Sequence, residues 1–245
     1  MSPMPLITGS NFSYQHLPFE RFLDDAADLG REELELWGIA PHFHVPQVSD
    51  AEARAVRRRA ASRGLRVRCL TPEQVAYPVN IASADTRLRA SSIAMFRRAA
   101  ELCAELGAEL LLLTPGRGYE DEPVEAAWRR SADALAEIAS YAEGFGVTCV
   151  LEPLQRVESN LLNDSRALAR MLDEVGARTS PPCSTPWAWR SPGRAWTTTS
   201  TRSATGSATC TSSTAARPGT WRGATGSCRC PTTSPPSPAT VMPGS

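Results

Sequence analysis

A helical stretch that closes on glycine and turns at once into a short apolar run recurs along the first 178 residues of this chain. The glycines are Gly30, Gly64, Gly107, Gly146 and Gly176, and the first four lead into "REELELWG", "LRVRCLTPE", "AELLLLTPG" and "VTCVLEPL". Glycine ends a helix well because it takes the left-handed conformation without a Cβ penalty, and apolar runs of this length read as buried parallel strands. The helices start as legibly as they stop. "SDAEARAVRRRAASRG" offers Ser49 or Asp50 as N-cap, "DEPVEAAWRRSADALAEIASYAEGFG" has Pro123 in its first turn, and "NDSRALARMLDEVG" begins at Asn163 or Asp164. Strand and helix therefore alternate, which predicts parallel βαβ units.

Two architectures use that alternation: an open doubly wound sheet and a closed (β/α)8 TIM barrel. No glycine-rich phosphate fingerprint follows the first strand, which weakens the nucleotide-binding version of the open sheet. Barrel enzymes place catalytic groups at the C-terminal ends of strands, where this chain has Trp37, Glu73, Thr114 and Glu152. The fold class expected is thus α/β, a (β/α)8 TIM barrel that is incomplete, with about five βα units.

Beyond residue 178 the composition changes. From Thr179 to the end, 27 of 67 residues are Ser or Thr and 10 are Pro, with no Leu, Ile, Phe, Tyr, Asp, Glu or His. Such a segment cannot bury enough apolar surface to offset the entropy of ordering it. Two regions follow: 1–178, a partial barrel domain, and 179–245, a low-complexity tail. The zero net charge averages them, since the first region holds 20 Arg against 26 Asp and Glu, a net of −6. That balance argues against a nucleic-acid surface. The start, "MSPMPLITGSNFSYQHL", lacks a basic region followed by a long apolar stretch, and no run reaches membrane-spanning length, so a cytoplasmic protein is expected. Cys69, Cys103 and Cys149 stand in apolar contexts as buried thiols, and "CRC" at 228–230 lacks a partner pair at zinc spacing.

Chemistry concentrates in "VLEPLQRVESN". A carboxylate directly after a buried strand, at Glu152, is costly unless it meets a metal, a base or water in a cavity mouth. Glu158 follows six residues on, near enough for both acids to face one cavity. The residues alone leave a second reading open, in which Glu152 caps a helix or pairs with Arg156. Trp37 and His42, in "LWGIAPH", have equally ordinary alternatives as a packed aromatic and a loop hydrogen bond.

The stretches "LEPLQRVESNLLND", "ELELWGIAPHFH" and "LTPEQVAYPVNIAS" resemble the xylose-isomerase-like barrel family of sugar isomerases and epimerases, nearest its fructoselysine 3-epimerase branch, with the D-tagatose 3-epimerase type further off. The likeness spans roughly residues 7 to 178. It implies a divalent metal (Mn2+, Co2+ or Mg2+) held by two Glu, one Asp and one His, with Glu152 as first metal ligand and one of two acid/base groups. Glu158 would then hydrogen-bond the substrate near its carbonyl, and Trp37 and His42 would line the sugar pocket. In that chemistry a proton next to a ketone is removed, a metal stabilises the enediolate, and a carboxylate on each face exchanges the proton. The implied partner is a small sugar, a ketose or fructosamine, with neither nucleic acid nor membrane; a homo-oligomer is compatible with it.

The resemblance also demands an Asp, a His pair and a last Glu downstream of residue 178, where the sequence has none. Out-of-frame translation of a GC-rich gene accounts for this. "PCSTPW", residues 182–187, can be encoded by CCA TGC TCG ACA CCG TGG; displaced by one base after a C, the same letters read proline, methionine, leucine, aspartate, threonine, valine. The aspartate falls where Thr185 is written, and permitted codons further on place histidines where Thr209 and Thr211 are written. The absence of any Lys fits a GC-rich gene. A metal-dependent epimerase or isomerase impaired in this chain is the leading expectation, an inactive truncated barrel or sugar-binding fragment the second. An abasic-site endonuclease, which shares the barrel, is disfavoured by the acidic front region.

Overall fold

The computed structural model describes residues 8–178, 187–189 and 197–200. Strand β1 (Gly9–Ser10) runs into a single 3-10 turn and helix α1 (Phe19–Asp28), followed by β2 (Glu33–Gly38), α2 (Asp50–Ala61), β3 (Arg66–Pro72), α3 (Thr86–Leu106), β4 (Leu110–Leu113), α4 (Val124–Glu143), β5 (Thr148–Leu151) and α5 (Ser165–Arg178). The strands lie side by side in chain order, and β1 to β5 are parallel throughout. Two short strands, β6 (Trp187–Trp189) and β7 (Thr197–Ser200), extend this sheet into the stretch set apart by composition. β6 pairs parallel with β5, while β7 is antiparallel to β6.

Strand order and helix placement decide between the two candidate architectures. A doubly wound sheet reverses its strand order and covers both faces. Here the order never reverses, and the helices pack in succession as one layer, α2 on α3, α3 on α4 and α4 on α5. Arg–carboxylate pairs join each neighbouring pair of helices: Arg59–Glu20 at 2.7 Å, Arg54–Glu105 at 2.9 Å, Arg97–Glu137 at 2.8 Å and Arg170–Glu125 at 2.8 Å. These pairs are solvent-exposed, so they align helices more than they stabilise them. The arrangement is five consecutive units of a TIM barrel.

Gly30, Gly64, Gly107 and Gly146 have φ of 65°, 74°, 72° and 69° and return the chain into the next strand as expected. Gly176 differs: α5 continues through it to Arg178, so it ends no helix. Of the predicted starts, Ser49 caps α2 in a reciprocal box, with its backbone N–H donating to Glu52 at 2.8 Å and its hydroxyl accepting from the Glu52 N–H at 3.3 Å. Pro123 sits one residue ahead of α4, at the cap position. Asp164 accepts from the Ala167 N–H at 2.8 Å, which settles the α5 start on Asp164.

Alternation along the strands divides the side chains. Leu34, Leu36, Val67, Leu70, Leu111, Leu113, Cys149 and Leu151 join the large core between sheet and helices. Cys69, Leu112 and Val150 pack in a separate cluster on the opposite face, the inside of the barrel curve. All three cysteines of this region are buried thiols, and burial pushes the Cys103 thiol up. At the strand starts Glu33, only 3% exposed, pairs with Arg66 and Arg68, forming a charged floor. Among the described residues no helix is long and apolar enough to cross a membrane.

Truncating Leu111, which is fully buried in the core, is expected to lower unfolding free energy by about 2 to 5 kcal/mol, whereas Ser49→Ala removes one cap and costs about 1 kcal/mol. Urea titrations followed by far-UV circular dichroism measure both; an equal cost at the two positions would contradict this division between core and cap.

Candidate functional site

Pairing along the ladder brings strand-end residues to a common level. Leu70 pairs with Leu111, Leu111 with Cys149 and Leu113 with Leu151. Counting on in this register puts Glu73, Thr114 and Glu152 side by side just past β3, β4 and β5. All three follow the parity of the inner face, two residues beyond Thr71, Leu112 and Val150 respectively. Trp37, opposite Thr71, lies one level lower on the same face.

Each of these positions is held by short-range chemistry. The Trp37 indole N–H donates to Glu73 Oε2 at 2.8 Å, and Glu73 Oε1 accepts the backbone N–H groups of Val75 at 2.6 Å and Ala76 at 2.7 Å. Both Thr114 N–H and Oγ1 donate to Gln74 Oε1, at 2.9 and 2.6 Å. The Glu152 N–H donates to Leu113 O at 3.0 Å, continuing the β4–β5 ladder by one bond, and its side chain is half-buried. Phe12, in the turn after β1, is 65% exposed and lies against the Trp37 ring with centroids 4.6 Å apart. The exposed Phe12 ring on the half-buried Trp37, beside strand-end carboxylates, is a surface on which the apolar face of a sugar ring can lie while its hydroxyls meet acids.

Glu158 stands at the tip of the loop that Glu152 begins. The Leu154 N–H donates to Leu162 O at 2.9 Å, closing the loop at its base, and Glu158 Oε2 accepts the Gln155 N–H at 3.2 Å. The half-buried Glu158 carboxylate is thus folded back on its own turn. His42 is committed on both ring nitrogens. Its Nε2–H donates to Leu17 O at 2.7 Å, so Nδ1 accepts from Asn11 Nδ2 at 3.1 Å. Asn11, completely buried, also accepts the Trp37 N–H at 2.7 Å and donates to Trp37 O at 3.1 Å. Trp37 and His42 are therefore brought together through Asn11, with His42 anchoring the loop as the simpler sequence reading allows.

Sequence reasoning missed Phe12, Asn11 and the use of Glu73. The two-residue β1 leaves no periodic signal ahead of "NF", and the Glu73 contacts depend on Trp37, 36 positions away. In the loop after β4, the Glu122 carboxyl is held below the usual range by the Arg130 guanidinium and then by the Tyr119 N–H. It braces that loop.

The described residues do not fit the divalent ion that the resemblance implies. No group of three or more His, Cys, Asp or Glu side chains converges among them. Glu152 is the one expected ligand present, because the sequence past Arg178 contains no Asp, Glu or His. The positions written Thr185, Thr209 and Thr211 lie outside the described residues.

Residues 23–183 match the xylose isomerase-like TIM barrel family. A fructoselysine 3-epimerase of Escherichia coli O157:H7 is 31% identical over 149 residues, covering 61% of this chain and 54% of that protein. An L-ribulose 3-epimerase of Mesorhizobium japonicum is 29% identical over 163 residues, covering 64% and 51%. This chain thus spans about half the length of the curated relatives it matches. Among solved structures, an L-ribulose 3-epimerase superposes with a TM-score of 0.62 at 27% identity, over 77% of this chain and 60% of that one. A D-psicose 3-epimerase determined with D-fructose shares the fold at a TM-score of 0.59 and 20% identity, over 76% and 63%. With its five sequential βα units and its match over most of the described residues, the chain belongs to the xylose isomerase-like TIM barrel family.

Proposed function

We propose that this chain carries the sugar-binding part of a ketose or fructosamine 3-epimerase, and that the polypeptide as written is impaired in turnover. The observation that carries the reading is Glu152, set by the β4–β5 ladder at the mouth of the inner face, level with Glu73 and Thr114. The relatives named above are 3-epimerases that act on sugars, which supports the same class of substrate here.

The roles follow from the chemistry of the groups present. Phe12 and Trp37 receive a ring face of the sugar, and Glu73, which accepts from three donors, keeps the Trp37 indole in place. Glu152 is the acid/base group that takes the proton from the carbon beside the carbonyl. Glu158 exchanges its bond to Gln155 for one to a substrate oxygen. Inversion needs a second acid on the opposite face of the planar intermediate, and no Asp or Glu follows Glu174 in the sequence. A carboxylate that reaches only one face returns the proton to the side it left. The donor set of the described residues does not fit a divalent ion, and the sequence past Arg178 adds no Asp, Glu or His to it.

The second reading, a sugar-binding fragment without turnover, is favoured by that same lack of acids. Residues 179–245 are read as the product of a shifted frame whose aspartate and histidines would fall where Thr185, Thr209 and Thr211 are written. Sequencing the source gene from the Gly176 codon to the stop is expected to reveal one base gained or lost relative to the sequence that encodes this chain. Confirmation of the present frame would leave the epimerase reading as ancestry.

The polypeptide as written is expected to bind D-psicose in isothermal titration without producing an epimer above the blank. Trp37→Ala should weaken that binding about tenfold, equivalent to about 1.4 kcal/mol of lost contact. Absence of binding by the unaltered chain would overturn the sugar-site reading.

A further inference from the structure

The rim of the barrel is laced by side-chain amides that stand in for peptide groups. Past the ends of the strands the backbone ladder stops, yet the same paired pattern continues. Asn11 accepts from Trp37 N and donates to Trp37 O. Gln74 donates to Pro72 O at 3.1 Å and accepts from Thr114 N at 2.9 Å, bridging β3 and β4. Asn80 accepts from Arg117 N at 3.0 Å and donates to Arg117 O at 2.8 Å. Asn160 treats Gly118 in the same way, accepting from its N–H at 2.9 Å and donating to its carbonyl at 3.2 Å.

The last two pairs bracket the dipeptide Arg117–Gly118 between the loop after β3 and the loop after β5. The fit is close. A Cβ on Gly116, whose φ is 73°, would lie 2.5 Å from Asn80 Oδ1, and one on Gly118 would lie 2.6 Å from the Ala127 Cβ. The Arg117 guanidinium then reaches across to donate to Arg156 O at 3.0 Å and Val157 O at 2.9 Å, the two carbonyls directly before Glu158. Ser159, directly after Glu158 and fully buried, donates to Gly116 O at 2.6 Å. Glu158 is therefore gripped on both sides from the β4 loop, which Asn80 and Asn160 hold in turn.

We propose that Asn80 and Asn160 are positioning residues. Their amides weld the loops after β3, β4 and β5 into one rigid collar, and the collar fixes Glu158 where the sugar carbonyl arrives. The role of Glu158 rests on the proposed epimerase-type site, whereas the rigidity of the collar stands on the hydrogen bonds themselves. An amide is required because each position must both accept and donate, within a geometry that a hydroxyl or a carboxylate cannot reproduce.

Asn160→Asp, with Asn80→Asp as its companion, tests this with almost no change in volume. Each keeps the acceptor but sets a second carboxylate oxygen against a carbonyl. Hydrogen exchange read by mass spectrometry is expected to accelerate at least tenfold for amides 155–159 at pH 7, while the β2 and β3 amides keep their protection. The charged form of the new Asp is disfavoured in the folded chain, so its folded pKa is raised. The deficit relative to the unaltered chain should therefore shrink as pH falls through that pKa, once an O–H can donate to the carbonyl. The charged groups facing the collar are Arg89, Arg117, Glu120, Glu122, Arg130 and Glu158, and comparison with the unaltered chain at each pH cancels their own titration. D-psicose binding should weaken at least tenfold in parallel at pH 7. Unchanged exchange at 155–159 in both variants would overturn the collar, and accelerated exchange with unchanged D-psicose affinity would overturn its positioning role. A chain that binds no D-psicose even unaltered sinks the epimerase-type reading and with it the positioning of Glu158, while exchange alone still decides the collar.

Discussion

The parallel ladder from β2 to β5 sets everything at the mouth of this barrel. Because side chains alternate along β4 and β5, the register that pairs Leu111 with Cys149 also decides that Glu152 points inward and Leu151 outward. One residue of slip would bury Glu152 among the helices and turn the core leucines inward. The apolar contacts of Leu70, Leu111, Leu113 and Leu151 with the helix layer therefore specify where the carboxylates stand, though none of those leucines touches the mouth. Fixing the site and forming the core are one event in this architecture.

Legibility in the sequence follows from whether a feature is local. Gly30, Gly64, Gly107 and Gly146 could be read because a helix stop and the next strand adjoin in the chain, and Ser49 because its box closes within four residues. Gly176 departs from the same rule, because α5 runs through it to Arg178 and a helix interior admits glycine at a cost of about 1 kcal/mol. Glu152 was visible because an acid following an apolar run is anomalous by itself. Asn11, Asn80 and Asn160 were invisible as partners, because their bonds span 26, 37 and 42 positions and no periodicity encodes them. The stretches that carried the family resemblance contain two of these asparagines, whose value emerges only once the loops meet.

The absence of Lys gives the helix layer an unusual uniformity. Every cation outside the histidines is an Arg, and the inter-helix pairs exploit the planar fork, as where Arg170 binds Glu125 through two nitrogens at 3.0 and 2.8 Å while reaching Glu174 at 2.9 Å. The pairing with Glu125 first, and Glu174 after it, raises the already high Arg170 pKa and holds the Glu125 carboxyl down. These contacts lie on the outside of the curve, distant from the mouth, so electrostatics on this surface orders the helices and leaves the chemistry to the strand ends.

Three acids at the rim show how the same functional group is given different work. Glu73 accepts three hydrogen bonds, from one indole and two peptides, so its carboxylate is engaged with the protein itself. Its effect is on Trp37, whose ring it orients. Glu158 accepts a single bond at 3.2 Å from its own turn, which the O–H of a sugar hydroxyl can replace at small cost. Glu152 differs from both in standing directly on the end of a strand, where the ladder bond to Leu113 gives it the least freedom to move. Proton transfer is steeply sensitive to geometry, so the acid on the stiffest support is the one suited to it, and the acid on the loop is suited to recognition.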